Sequence, residues 1–217
     1  MKSLLVVLLA AGSLSLSAAG ITGTKHDLST NALAGQAHTN TTQVCVFCHA
    51  PHNAASSTAQ LVPLWNRKFQ GATPSFTLYS SATLTSTPTQ PTGASLACFT
   101  CHDGTTSVGN LINIPSDVAS ISYTAGGNVN ASGVLGGAAA LGTDLSNDHP
   151  VSMTYPTKTG LVVPTVAGST SNVGGLPLFS SKVECASCHD VHSNAVAAPF
   201  LRASMTNSAL CTTCHIK

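Results

Sequence analysis

The chain has 217 residues, enough for one domain or two small ones. It carries eight Lys and Arg against seven Asp and Glu, and only 7% of residues are charged where about 25% is usual. That balance speaks against a nucleic-acid or acidic-lipid partner, and a hydrophobic fraction of 43% speaks against disorder.

Residues 1–19, MKSLLVVLLAAGSLSLSAA, read as a signal peptide: Lys2, an apolar core from Leu4 to Ala11, then small residues. Ser17 and Ala19 suit the cleavage site, so the mature domain is expected over 20–217. The apolar core is too short to span a bilayer, no later segment is long enough, and no cysteine sits at the cleavage site for a lipid anchor. An exported protein is expected, extracellular or on the cell surface, with the periplasm as the alternative.

His26 lies in TKHDLST near the mature N-terminus, and His38 shortly before the first cysteine cluster, VCVFCHAPHN at Val44–Asn53. Ala72–Gly93, which ends in TPTQPTG, reads mostly as loop. CFTCH follows at Cys98–His102, then a long segment rich in Gly, Ser, Thr, Val and Asn with no helical apolar period. Short strands are expected there, at Ser120–Thr124 and Leu161–Val163, and NDHPV supplies His149. CASCHDVH spans Cys185–His192, a short helix is expected at Pro199–Met205, and CTTCH closes the chain at Cys211–His215.

The eight cysteines (Cys45, Cys48, Cys98, Cys101, Cys185, Cys188, Cys211 and Cys214) form four CxxC pairs, each followed at once by a histidine: His49, His102, His189 and His215. Two thiols three positions apart lie on one side of a helical turn and can each form a thioether with a haem vinyl group. The adjacent imidazole then reaches the iron as proximal ligand. A zinc thiolate site or a disulfide framework would use the cysteines but leave four histidines in fixed positions without a task. Four covalently bound c-type haems are therefore expected. On so short a chain they must themselves form the core. The fold class expected is a multihaem cytochrome c, mostly coil, with short helices at the haem motifs, a few short strands and a haem stack inside.

Five further histidines, His26, His38, His52, His149 and His192, are available for four distal positions, and Met153 and Met205 are the only rivals after the signal. Bis-histidine ligation throughout is the simplest assignment. His52 and His192 stand three residues after a proximal histidine, near neighbours if the helix continues. Neither can pass around the porphyrin to the far side of its own haem, so each must serve a different haem and tie two together. His149 is held by the following Pro150. Of His26 and His38, His26 is favoured as the ligand, with the metal set then His49, His102, His189, His215, His26, His52, His149 and His192.

KHDLS, CVFCHAPHN, DHPV, CASCHDVH and a CxxCH near the C-terminus together resemble the OmcE-type tetrahaem cytochromes of metal-reducing bacteria. The resemblance covers most of the mature chain, though the Gly/Ser-rich middle matches only in character. It implies head-to-tail polymerisation into extracellular filaments with a continuous haem stack, bis-histidine ligation throughout, and one distal histidine donated by the neighbouring subunit. An N-terminal arm carrying His26 to a terminal haem of the next copy would be a heterologous contact that propagates. The expected function is electron transfer without enzymatic activity, with the chain's own copies, other redox cytochromes and extracellular acceptors as partners. A soluble periplasmic shuttle and a multihaem reductase with one open iron are the alternatives.

Overall fold

The computed structural model describes residues 20–54, 64–167, 170–193 and 200–216; the expected signal peptide at 1–19 and Pro199 of the expected helix lie outside them. Regular structure is sparse, as the composition implies. Seven strands of two to four residues form three small antiparallel sheets. β1 (His38–Thr39) pairs with β2 (Tyr123–Thr124), and His38 faces Thr124 across that pair. β3 (Met153–Thr154) pairs with β7 (Lys182–Val183), and β4 (Thr165–Ala167), β5 (Thr170–Val173) and β6 (Leu176–Leu178) form a meander.

The helices coincide with the cysteine motifs. α1 spans Gly93–His102, α2 Cys185–Cys188 and α3 Ala209–Cys214, and a 3-10 turn covers Cys45–Phe47. Each of the three short turns is closed by a bond from the motif histidine back to its first cysteine: His49 N–H to Cys45 O (2.8 Å), His189 to Cys185 (3.0 Å) and His215 to Cys211 (2.9 Å). The chain then straightens. His189 and His215 are extended, and His49, His189 and His215 form single antiparallel bridges to Trp65, Leu201 and Leu161. One helical turn sets two thiols side by side, and the bridge fixes the ring that follows.

Two expectations change here. His52 and His192 are not on a continued helix, because the backbone leaves the helix at the preceding histidine. Among the described residues 200–205 there is no helix: Leu201 is tied to His189, and the helical turns begin at Thr206. Of the two expected strands, the first shrinks to Tyr123–Thr124, and the second is replaced by a bridge at Leu161 and by β4 just beyond it.

The apolar interior is divided into four small clusters. Phe69, Phe76, Phe99 and Leu145 pack around α1; Val46, Phe47 and Leu111 lie under the first motif; Ala37, Val108 and Val129 form a third; Tyr155, Val173 and Leu178 lie beneath the last. No single cluster is large enough to organise the domain, so polar pins take over. Asn66, fully buried, donates to Val46 O and Asn113 O and accepts from Asn113 N–H, tying three loops together.

Candidate haem sites

Three of the motif histidines face a second histidine from far along the chain. The ring centroids of His49 and His192 are 6.3 Å apart, those of His102 and His26 6.2 Å, and those of His215 and His149 6.4 Å. A metal–imidazole bond of about 2 Å on each side of one iron, added to the ring half-widths, places such centroids about 6 Å apart. The pairs therefore fit a six-coordinate haem iron held from both sides. All eight cysteines are unpaired, and among the described residues no three His, Cys, Asp or Glu side chains are grouped to hold a bare metal ion.

The rings are oriented by their other nitrogen. His102 Nδ1 lies 2.7 Å from Ala139 O and His149 Nδ1 3.0 Å from Pro150 O. With Nδ1–H donating to the carbonyl, the Nε2 lone pair is the one left for iron. Phe200 stacks on His26 at 4.8 Å with the planes nearly parallel, although a bulky residue at φ 61° is an outlier. Burial, and then the neighbouring rings of His102, His189 and His192, lower His26 to about 4, which keeps it in the neutral form that binds metal.

A further observation fits a haem. Trp65 packs edge-on to His49 (5.8 Å), and its Nε1 is buried with no acceptor among the described residues. A haem propionate is an acceptor of the right kind for that donor.

Neighbouring motifs lie near one another in chain order, and the second and third are joined by a side-chain hydrogen bond between Cys98 and Cys185. Burial and then the nearby Cys101 push the Cys48 thiol up to about 12. A hydrogen bond to Cys185, and then burial, holds Cys98 well above the ordinary thiol range. Cys188 is raised by burial and then by Cys214. A hollow of about 680 Å³ is lined by Cys188 and His189 of the third motif and by Cys211, Cys214, His215 and His149 of the fourth, a size in the range of cofactor sites.

The remaining histidines separate. His38 is exposed, its Nδ1 3.4 Å from Gln36 O, and it faces no other histidine ring among the described residues. His26, however, sits against His102 of its own chain and is not presented on an arm for a neighbour. His192 faces the His49 ring of the first motif. His52 is exposed.

Two residues missed at the sequence level hold these sites. Arg67, 1% exposed, donates to the carbonyl of Thr100 inside the second motif (3.1 and 3.4 Å) and to those of Ser107 and Val108 (both 2.8 Å). Glu184, 2% exposed, caps α2 through a capping box with Ser187. It also accepts from Ser95 Oγ of α1, from Ser152 Oγ (2.8 Å) and from Thr92 Oγ1 (3.1 Å). A carboxylate directly before a CxxCH helix was legible as a cap. Nothing in the sequence marked Arg67.

Residues 178–217 match a family described as a doubled CXXCH motif. No curated protein matches the chain. The match takes in the third and fourth motifs and points to the multihaem c-type cytochromes, whose CXXCH motifs bind haem covalently and whose general role is electron transfer.

Proposed function

We propose that the chain is a four-haem, bis-histidine electron conduit, exported and assembled head to tail into an extracellular filament that passes electrons from redox cytochromes to external acceptors. The observation that carries the ligation is the set of three histidine pairs at 6.2–6.4 Å. Each c-type haem would supply reversible one-electron chemistry at its iron. Cys45 and Cys48, Cys98 and Cys101, Cys185 and Cys188, and Cys211 and Cys214 provide the thioethers. His49 with His192, His102 with His26, and His215 with His149 would hold three irons, and His189 would contribute to the fourth. His52 is the remaining distal candidate; its ring is exposed where a neighbouring copy could reach it, and we assign it, in place of His26, to the filament joint.

Histidines on both sides let the iron change valence without gaining or losing a ligand, which keeps reorganisation small and favours transfer over catalysis. The hydrogen bond between the second and third motifs and the hollow shared by the third and fourth support a relay along the chain order.

Mass spectrometry of the exported protein tests the haem number, and carbon monoxide tests the ligation: stoichiometric binding to the reduced protein defeats full bis-histidine ligation and favours a reductase. The ring planes add a signature. The His49–His192 planes lie 24° apart, and the other two pairs 74° and 88°. The oxidised protein is expected to give a rhombic low-spin resonance from the first and strongly anisotropic signals from the others. Electron microscopy tests the polymer, and His52→Met is expected to abolish filaments while the three internal pairs keep their spectra. Monodisperse wild-type particles under all conditions reduce the reading to a shuttle.

A further inference from the structure

Two buried charges of opposite sign flank the contact between the second and third sites. Arg67 is held by four hydrogen bonds to carbonyls alone and has no carboxylate within ion-pair distance among the described residues. One of its acceptors, Thr100 O, lies between Cys98 and Cys101. Glu184 immediately precedes Cys185, and its partners are the hydroxyls of Thr92, Ser95 and Ser152. Ser95 Oγ in turn accepts the Cys185 N–H (2.9 Å), so the carboxylate is linked to both motifs through one hydroxyl.

Uptake of one electron lowers the charge of a haem site by one. A buried cation favours the reduced form and a buried anion opposes it, and low local polarity makes both effects larger than at the surface. We propose that Arg67 and Glu184 set a redox step inside the relay, holding the reduction potential of the second site above that of the third.

This proposal rests on the haem reading above. Other charges nearby do not cancel the step. Asp103, buried beside His102, offsets Arg67 at the second site, leaving it near neutral. At the third site Asp190 is already paired with Arg202 (3.0 Å), and Lys182, half-buried, reaches only Thr92 Oγ1 at 3.5 Å, where solvent weakens it. The third site therefore stays the more negative of the two.

Spectroelectrochemical titration of the four-haem protein tests the assignment with Arg67→Gln, Arg67→Lys and Glu184→Gln. Arg67→Gln is expected to lower one component by about tenfold in its one-electron equilibrium, ~60 mV. Arg67→Lys keeps the charge and is expected to restore most of that shift, which a purely structural role would not do. Glu184→Gln keeps the shape, retains one acceptor oxygen for the hydroxyls and removes the charge, and it is expected to raise another component by a similar factor. Titrations of Glu184→Gln that superimpose on wild type at full haem content overturn the proposal, and they do so even if Arg67→Gln fails to mature. Haem count and the low-spin spectrum of the wild type are read first. A failure there defeats the cytochrome reading, whereas an intact wild type with unshifted variants defeats only the charge assignment.

Discussion

The second and fourth motifs have the same CxxCH pattern and are built in opposite ways. α1 runs ten residues and buries Gly93, Ser95, Ala97, Phe99 and Thr100, with Phe76 against Phe99 at 4.6 Å and Arg67 pinned to its last turn. α3 runs six residues, buries none, and starts from Ser208 in a left-handed conformation with no side-chain cap. The first of these helices is packed into the apolar interior, and the other borders an open hollow whose walls are mostly apolar side chains. Local packing thus decides how far each motif depends on its cofactor for order.

The largest expected effect separates the two directly. Replacing Cys98 and Cys101 by Ser is expected to abolish accumulation of a protease-resistant chain, because α1 packs into the cluster of Phe69, Phe76, Phe99 and Leu145 and a haem attached there, as proposed, would bear on it. Replacing Cys211 and Cys214 is expected to leave a compact protein with one haem fewer. Mass spectrometry with limited proteolysis reads both, and equal losses would erase the contrast.

Next come side chains. Phe99→Ala removes a ring that is 1% exposed and is expected to cost about 3–5 kcal/mol. Leu210→Ala on half-buried α3 is expected to cost about 1 kcal/mol or less in the same denaturant titration. Gly126→Ala would bring a Cβ to 2.6 Å from the Gln36 carbonyl carbon, and about 1–3 kcal/mol of strain is expected beside the cluster of Ala37, Val108 and Val129.

The smallest effect is a matter of pH. Hydrogen bonds from Thr41, then from the Thr42 N–H, hold Asp117 below its ordinary 3.8. Its folded value being depressed, its contribution is present above 3.8 and is lost as pH falls through the folded value. The stability gap between wild type and Asp117→Asn is therefore expected to close on acidification. A gap that widens in acid would count against these bonds.

The motifs and the scarcity of helix were legible because covalent haem attachment imposes a fixed local spacing. The argument that His192 cannot reach round its own haem is steric and needs no fold, and the structure sets its ring against His49. The match at 178–217 agrees with the haem motifs and leaves the Gly/Ser-rich middle unaddressed. What could not be read is long-range. His26 looked like a free arm because nothing near it in sequence showed that Phe200 would stack on it and His102 face it. The helix expected at Pro199–Met205 gave way to an extended tie at Leu201, since a bridge to His189 outweighs the intrinsic preference of a short segment. Arg67 was invisible because its partners are backbone carbonyls, which carry no sequence signature.

The pairing of His49 with His192 also has a meaning for biogenesis. If the chain is exported as proposed, the first cysteine motif would emerge early, but the ring that would complete its iron is the last of the proposed distal histidines in the chain. Under the proposed ligation the first haem is saturated last, and closing it seals the longest loop in the molecule. A truncated or stalled chain would therefore expose one reactive, five-coordinate centre, and maturation would carry its own completeness check at residue 192.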